Sequence, residues 1–233
     1  MHALPRDTTS PYRCLMTKAY FLRGDSYLRY DVETDAIDSG YPKPIAVGWT
    51  GLADAAFDRD VDAVLDLGDG TASLFKGDVF VRIDQTTNRV VGEVMPIADG
   101  WAGLADIGFA ESVEASVNWG DGKAYFFRGG QYVRYDLASG QLDEGYPRPV
   151  ADGWPGLAAA GFADGLDAAV NWGSGSAYFF RGDAYLRHDI GSDTVDANYP
   201  LPIAESWPGF DAAGFGVRLD AAWLKITPAE GVG

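Results

Sequence analysis

Four stretches of the chain carry one pattern at intervals of 52 or 53 residues. They are Lys18–Asp31 (KAYFLRGDSYLRYD), Thr71–Asp84 (TASLFKGDVFVRID), Lys123–Asp136 (KAYFFRGGQYVRYD) and Ser176–Asp189 (SAYFFRGDAYLRHD). A tryptophan follows each copy (Trp49, Trp101, Trp154, Trp207), and a phenylalanine stands eight residues beyond each tryptophan (Phe57, Phe109, Phe162, Phe215). A fixed period of this size means one supersecondary unit repeated, so the fold must itself consist of four like parts. Residues that recur in every copy serve the repeat first. Function is to be sought in what the repeats surround.

The third copy shows what the unit contains. Glu114–Trp119 (EASVNW) reads as a short, largely apolar strand, and Gly120-Asp121-Gly122 as a tight turn that uses glycine for positive φ. Lys123–Arg128 (KAYFFR) is aromatic strand sequence, Gly129-Gly130 a second hairpin turn, and Gln131–Asp136 (QYVRYD) an alternating strand. The segment GYPRPV, ending at Val150, fits an outer edge strand or an irregular stretch, because proline donates nothing to a central ladder. Trp154–Phe162 (WPGLAAAGF) reads as a short helix or turn anchored by its two aromatic residues. Three or four strands and a short helix, repeated four times, predict an all-β fold, a four-bladed β-propeller, in which radial repetition leaves only short sheet edges. A solenoid would need atypical polar repeats at both ends, and none is visible.

The succession Asp-Ala-Ala, Tyr-Phe-Phe-Arg-Gly-Asp-x-Tyr-x-Arg-Tyr-Asp, Gly-Tyr-Pro-x-Pro-Ile and Trp-Pro-Gly-Leu resembles the hemopexin-like repeat over nearly the whole chain. The single-domain form without disulfides is most similar to the plant seed albumin branch of that family. The resemblance implies a four-bladed propeller whose innermost strands run parallel to a central tunnel. Blade II departs most, with Leu74-Phe75-Lys76 for Phe-Phe-Arg and Glu93-Val94-Met95-Pro96 for Gly-Tyr-Pro-x-Pro.

Three acidic residues open the inner strands of blades II to IV: Asp62, Glu114 and Asp167, each nine residues before its aromatic motif. The matching position in the first copy is Thr9, with no Asp-Ala pair, whereas Asp220-Ala221-Ala222-Trp223 stands 53 residues after Asp167. The C-terminal segment is therefore predicted to fold back as the innermost strand of blade I, removing two free edges. The family's usual arrangement has that strand at the N-terminus, so this closure is permuted. The predicted divisions are a tail at 1–11, a propeller at 12–225 and a second tail at 226–233. Within the propeller, blade I is 12–61 plus 220–225, blade II 62–113, blade III 114–166 and blade IV 167–219.

The acidic ring is the strongest candidate site. Read from pattern alone, each acid anchors the start of its strand through local hydrogen bonds. The resemblance implies instead that the main-chain carbonyls of Asp62, Glu114, Asp167 and Asp220 line the tunnel and hold a metal ion, calcium or else sodium or another cation, with Val64, Ser116, Ala169 and Ala222 as a second carbonyl layer. Hard cations such as Ca²⁺ take about six to eight oxygen ligands, some of them waters. A haem-binding or haem-responsive protein, with His188 as the ligand, is an alternative reading, disfavoured because the chain has only His2 and His188, and His188 replaces the tyrosine of an Arg-Tyr-Asp motif where blades pack. The recurring Tyr27, Tyr132 and Tyr185 are expected to pack between blades, and Arg29, Arg82, Arg134 and Arg187 to pair with acids between blades. Arg23-Gly24-Asp25 and Arg181-Gly182-Asp183 invite a cell-adhesion reading, but Lys-Gly-Asp and Arg-Gly-Gly hold the same place in the other copies, so turn geometry explains them.

Against 18 Lys and Arg stand 34 Asp and Glu, a formal charge of −16 that repels nucleic acids and anionic membranes and attracts small cations. Polyamines are the small ligands that the resemblance implies; a protein partner or a homodimer through a blade edge is the other expectation. No HExxH, GxSxG or phosphate-binding loop occurs, so no enzyme is predicted. The single cysteine, Cys14, and the absence of a signal core or a long apolar run lead to an expected cytoplasmic or otherwise intracellular location.

Overall fold

The computed structural model describes residues 15–154 and 156–228. The predicted tail at 1–11, His2, Thr9 and Cys14 lie outside the described residues.

Blade I comprises β1 (Leu15–Arg23), β2 (Ser26–Asp31), β3 (Ala36–Ile37), β4 (Lys43–Pro44) and the helical turn α1 (Ile45–Gly48). Blade II comprises β5 (Ala63–Asp66), β6 (Thr71–Lys76), β7 (Val79–Asp84), β8 (Arg89–Pro96) and α2 (Ile97–Gly100). Blade III comprises β9 (Ala115–Asn118), β10 (Lys123–Arg128), β11 (Gln131–Asp136), β12 (Gln141–Leu142), β13 (Arg148–Pro149) and α3 (Val150–Gly153). Blade IV comprises β14 (Ala168–Asn171), β15 (Ser176–Arg181), β16 (Ala184–Asp189), β17 (Thr194–Val195), β18 (Leu201–Pro202) and α4 (Ile203–Ser206). The last strand, β19 (Ala221–Pro228), pairs antiparallel with β1 from Leu15↔Pro228 to Leu22↔Ala221. It therefore takes the innermost place in blade I that β5, β9 and β14 take in theirs. The ring is closed by the two ends of the chain, as the Asp220 register predicted. Pairing runs on to Pro228, beyond the boundary expected at 225.

Each blade is a meander because its turns are written into it. The hairpin after the second strand has two residues, with glycine first and positive φ at that glycine (Gly24 56°, Gly77 55°, Gly129 54°, Gly182 57°). That is the requirement of a type II′ turn, whose twist matches the flanking strands. The residue after the glycine has its own task. The carbonyls of Asp25, Asp78, Gly130 and Asp183 accept the N–H of Ile45, Ile97, Val150 and Ile203, the first residue of each helical turn. The two Arg-Gly-Asp sequences are thus hairpins that dock a helical turn.

A helical turn precedes each tryptophan, and further turns follow it: residues 156–161 are turn, as expected for Trp154–Phe162, and in blade II a 3₁₀ turn spans Ala105–Ile107. Pro44, Pro96, Pro149 and Pro202 stand in extended conformation at the start of each turn, and Trp154 is itself extended (φ −130°, ψ 88°). Proline at the entrance needs no N–H partner, so the chain turns immediately after it.

Both faces of each second strand are covered, because neighbouring blades pack on either side. Four aromatic-rich clusters result, one per interface. Tyr27 packs with Val64 and Leu74, Tyr132 with Ala169 and Phe179, and Tyr185 with Phe21 and Tyr30, so these tyrosines do pack between blades. Phe80 fills the same place in blade II.

The arginines behave otherwise. Arg29 pairs with Asp38 (2.5 Å), Arg134 with Asp143 (2.5 Å) and Arg187 with Asp196, each inside its own blade. The N–H of each aspartate donates to the carbonyl of the same arginine, and this backbone bond sets the two side chains together. In blade II Val91 takes the place opposite Arg82, nine residues on, where the other blades have the aspartate. There β8 runs unbroken for eight residues, while blades I, III and IV interrupt the outer strand with a cis Tyr–Pro bond. Among the described residues no helix is long and apolar enough to cross a membrane.

Candidate functional site: the central tunnel

The inner strands β5, β9, β14 and β19 lie side by side around the axis. At one end a cavity of about 530 Å³ gathers Asp62, Glu114, Asp167 and Asp220, the four acids predicted from the repeat. A second cavity, about 270 Å³, gathers Val64, Ser116, Ala169 and Ala222 toward the other end. The structure therefore brings together both predicted rings.

The carboxylates are committed locally. Each accepts the N–H of its own hairpin glycine: Gly77 to Asp62 at 2.7 Å, Gly129 to Glu114 at 2.7 Å, Gly182 to Asp167 at 2.5 Å, Gly24 to Asp220 at 2.6 Å. This is the strand-anchoring role that pattern alone suggests, a charge-assisted bond that pins each second hairpin to the inner strand. Among the described residues no group of three or more His, Cys, Asp or Glu side chains is placed to hold a metal. The main chain is arranged differently. The N–H groups of Asp62, Glu114, Asp167 and Asp220 donate to Phe75, Phe127, Phe180 and Leu22, while among the described residues no backbone N–H donates to the four carbonyls.

The acids still sense one another. Burial raises the Asp62 carboxyl above its ordinary value; the Gly77 N–H opposes this and the Asp220 carboxylate adds to it. Arg218, unforeseen from the sequence, answers part of that repulsion. Its Nε lies 3.6 Å from Asp167 Oδ1 and 3.5 Å from Asp220 Oδ1, and its side chain is exposed. It stands two residues before Asp220, where the other copies have Asp60, Ser112 and Gly165, so its singularity was readable once the copies were aligned through the closure.

The far end carries a second ring that was also missed, four residues beyond each acid: Asp66, Asn118, Asn171 and Leu224. Asn118 Nδ2 donates to the Asp66 carbonyl (2.9 Å) and Asn171 Nδ2 to the Trp119 carbonyl (2.8 Å), so side-chain amides tie neighbouring inner strands. Inside the tunnel, Ser116 Oγ is buried and has no hydrogen-bond partner among the described residues.

His188, the residue weighed for haem, is fully buried. Its ring lies 5.9 Å from Trp119 and 5.6 Å from Trp154, and Nε2 is 3.1 Å from Asp193 Oδ1.

With this geometry known, the likenesses are specific. A family model described as Hemopexin matches residues 16–53, 113–158 and 166–212, leaving out blade II. Albumin-2 of Lathyrus sativus is 25% identical over 204 residues, 82% of this chain and 89% of that protein. Matrix metalloproteinase-21 of Xenopus laevis is 28% identical over 164 residues, and vitronectin of Oryctolagus cuniculus 36% over 140. Those alignments cover 66% and 57% of this chain but only 26% of each relative, so the chain spans about a quarter of their length. The solved hemopexin fold protein CP4 from cow pea superposes with a TM-score of 0.74 at 26% identity, covering 84% of this chain and 92% of that one. A 2S albumin seed protein from Dolichos gives 0.75 at 27%, covering 84% and 93%. Four blades, a tunnel lined by their innermost strands and a family match over more than half of the sequence agree: the chain belongs to the hemopexin family.

Proposed function

We propose that the chain is a non-catalytic binding module holding a hard cation, calcium or sodium, on the main-chain carbonyls of Asp62, Glu114, Asp167 and Asp220. One observation carries the reading. The four residues whose carbonyls have no backbone donor among the described residues line one acidic cavity of about 530 Å³. Such hard, neutral oxygens backed by carboxylates suit calcium, with waters completing the shell. The buried Ser116 Oγ adds a further unsatisfied oxygen along the tunnel. The formal charge of −16 supplies attraction for small organic cations, polyamines among them, at the same mouth. Likeness to seed albumins over most of their length supports a binding role over a catalytic one.

The test is a melting curve. A ligand that binds only the folded chain raises its stability, by about 2.7 kcal/mol at a hundredfold excess over Kd. EDTA is expected to lower the Tm and Ca²⁺ to restore it. A Tm indifferent to both, with no heat on titrating Ca²⁺ or Na⁺, sinks the proposal.

A second reading rests on β8. It is the outer strand of blade II; Thr50 bridges to its start at Arg89, and beyond that Val91, Val94 and Met95 are exposed. Long apolar edge strands pair with other chains unless blunted. A homodimer through this edge predicts a doubled mass in light scattering that Val91→Lys abolishes; a monomer at high concentration rules it out.

A further inference from the structure

The interface between blades III and IV holds a pocket whose occupied counterpart stands between blades I and II of the same molecule. Two repeat positions define it. One follows the inner strand's fourth position: Leu67, Trp119, Trp172 and Lys225. The other is the turn of the next blade: Asn88 facing Lys225, Asp193 facing Trp119, with Asp35 and Gly140 at the remaining two interfaces. All four turn residues have positive φ, at 56° (Asp35), 54° (Asn88), 66° (Gly140) and 54° (Asp193), which confirms that they are one position.

Between blades I and II, Lys225 fills the space. Its ammonium lies 5.9 Å from the ring centre of Tyr20 and donates to Asn88 Oδ1 at 2.9 Å, and the residue is 8% exposed. The fold thus already seats a buried alkylammonium against an aromatic wall and a turn oxygen. Between blades III and IV no lysine is supplied. A cavity of about 300 Å³ remains, lined by Trp119, Tyr125, Tyr132, Tyr146, Trp154 and Asp193. Trp119, Tyr125 and Trp154 meet edge to face at 5.1–5.5 Å and make a rigid corner. The amide of Asn88 is replaced by the Asp193 carboxylate, which is 65% exposed. Among the described residues one charge of the wrong sign lines the pocket, Arg134, and it is held by Asp143 at 2.5 Å and stacked on Tyr146. Arg29, paired with Asp38, holds the repeat position of Arg134 and lies near enough to Lys225 to act on its charge, so the counterpart pocket also seats an amine beside a guanidinium.

We propose that the cavity between blades III and IV binds a free primary alkylammonium ion, its chain against Trp119 and Trp154 and its ammonium at Asp193. A cation over aromatic faces is attracted by the ring quadrupole, and enclosure strengthens that attraction. The carboxylate then supplies the charge-assisted hydrogen bond that Asn88 makes to Lys225 as a neutral group. This site is separate from the tunnel and does not depend on a metal there.

The test is titration of the intact chain with n-pentylamine, read by calorimetry and tryptophan fluorescence. One equivalent is expected to bind, with n-pentanol at least about tenfold weaker. Asp193→Asn, at an exposed turn, is expected to weaken pentylamine about tenfold, while Asp62→Asn in the tunnel leaves it unchanged. Lys225→Ala opens the counterpart pocket, so the stoichiometry rises to two. Equal affinity for the amine and the alcohol, or a loss in Asp62→Asn with none in Asp193→Asn, overturns the proposal.

Discussion

The interface between blades I and II and that between blades III and IV share one backbone plan and differ in what fills it. In the first, Tyr20 stacks on Trp223 at 4.8 Å, Trp223 meets Trp49 at 5.5 Å, and Lys225 closes the space. In the second, small Val117 and the indole of Trp119 take the places of Trp223 and Lys225, and a cavity stays open. The tip also differs: Ile83 leaves Asn88 free for Lys225, whereas His188 engages Asp193. A repeat fixes where side chains meet. The residues at two positions then decide whether the junction is a plug or a pocket.

The largest effect should come from the strand that builds the first interface and also closes the ring. Deleting 220–228 removes the strand paired with β1 and the aromatic wall formed by Trp223. It is expected to abolish cooperative unfolding in circular dichroism; a truncated chain that melts like the full one would overturn the closure. Next come the tryptophans that both interfaces share. Trp49→Ala and Trp154→Ala should each cost about 3–5 kcal/mol in urea denaturation, since both residues are buried at the centre of their clusters. A markedly cheaper Trp154→Ala would mean that the open pocket already relaxes the packing there. Lys225→Ala strands the Asn88 amide and leaves a gap, and is expected to cost about 1–3 kcal/mol. A neutral result would show that the plug contributes only shape.

The smallest effect is a pH dependence confined to the second interface. Burial lowers the His188 pKa, outweighing the opposing pull of the Asp193 carboxylate. The unfolded histidine, near about 6.5, therefore binds protons that the folded one refuses. The stability it contributes is complete above that pH and is lost as pH falls below it. Tyr30 and Tyr135 hold the equivalent position, and Tyr30 donates to Asp35 at 2.8 Å. His188→Tyr should therefore flatten denaturation midpoints between pH 7 and 5; an unchanged slope would assign that slope to other groups.

Much of this architecture was legible in the residues. Glycine in four equivalent hairpins, the Trp–Phe spacing and the missing acid at Thr9, supplied by Asp220, gave the blades and their closure. The pairing of Arg29, Arg134 and Arg187 was not legible, because an acid nine residues away meets its arginine only through a strand register. The helical turn ahead of each tryptophan was not legible, because proline in GYPRPV points to an edge strand or an irregular stretch and says nothing of the turn that begins at Val150. For the tunnel, the sequence named the ring and the local anchoring role of its acids, but not that the partner of each is its own hairpin glycine, which only strand pairing brings to it.

What the sequence determined by itself was the unit, its number and the way its ends meet, since these follow from local turn chemistry and a period. Tertiary structure alone decided which residues of successive copies face each other across an interface. Lys225 and Asn88 are separated by 137 positions, and only closure of the ring brings that ammonium to that amide. Distances along a chain fix strands and turns; the space between blades is set when separate strands pack, and its chemistry appears only then.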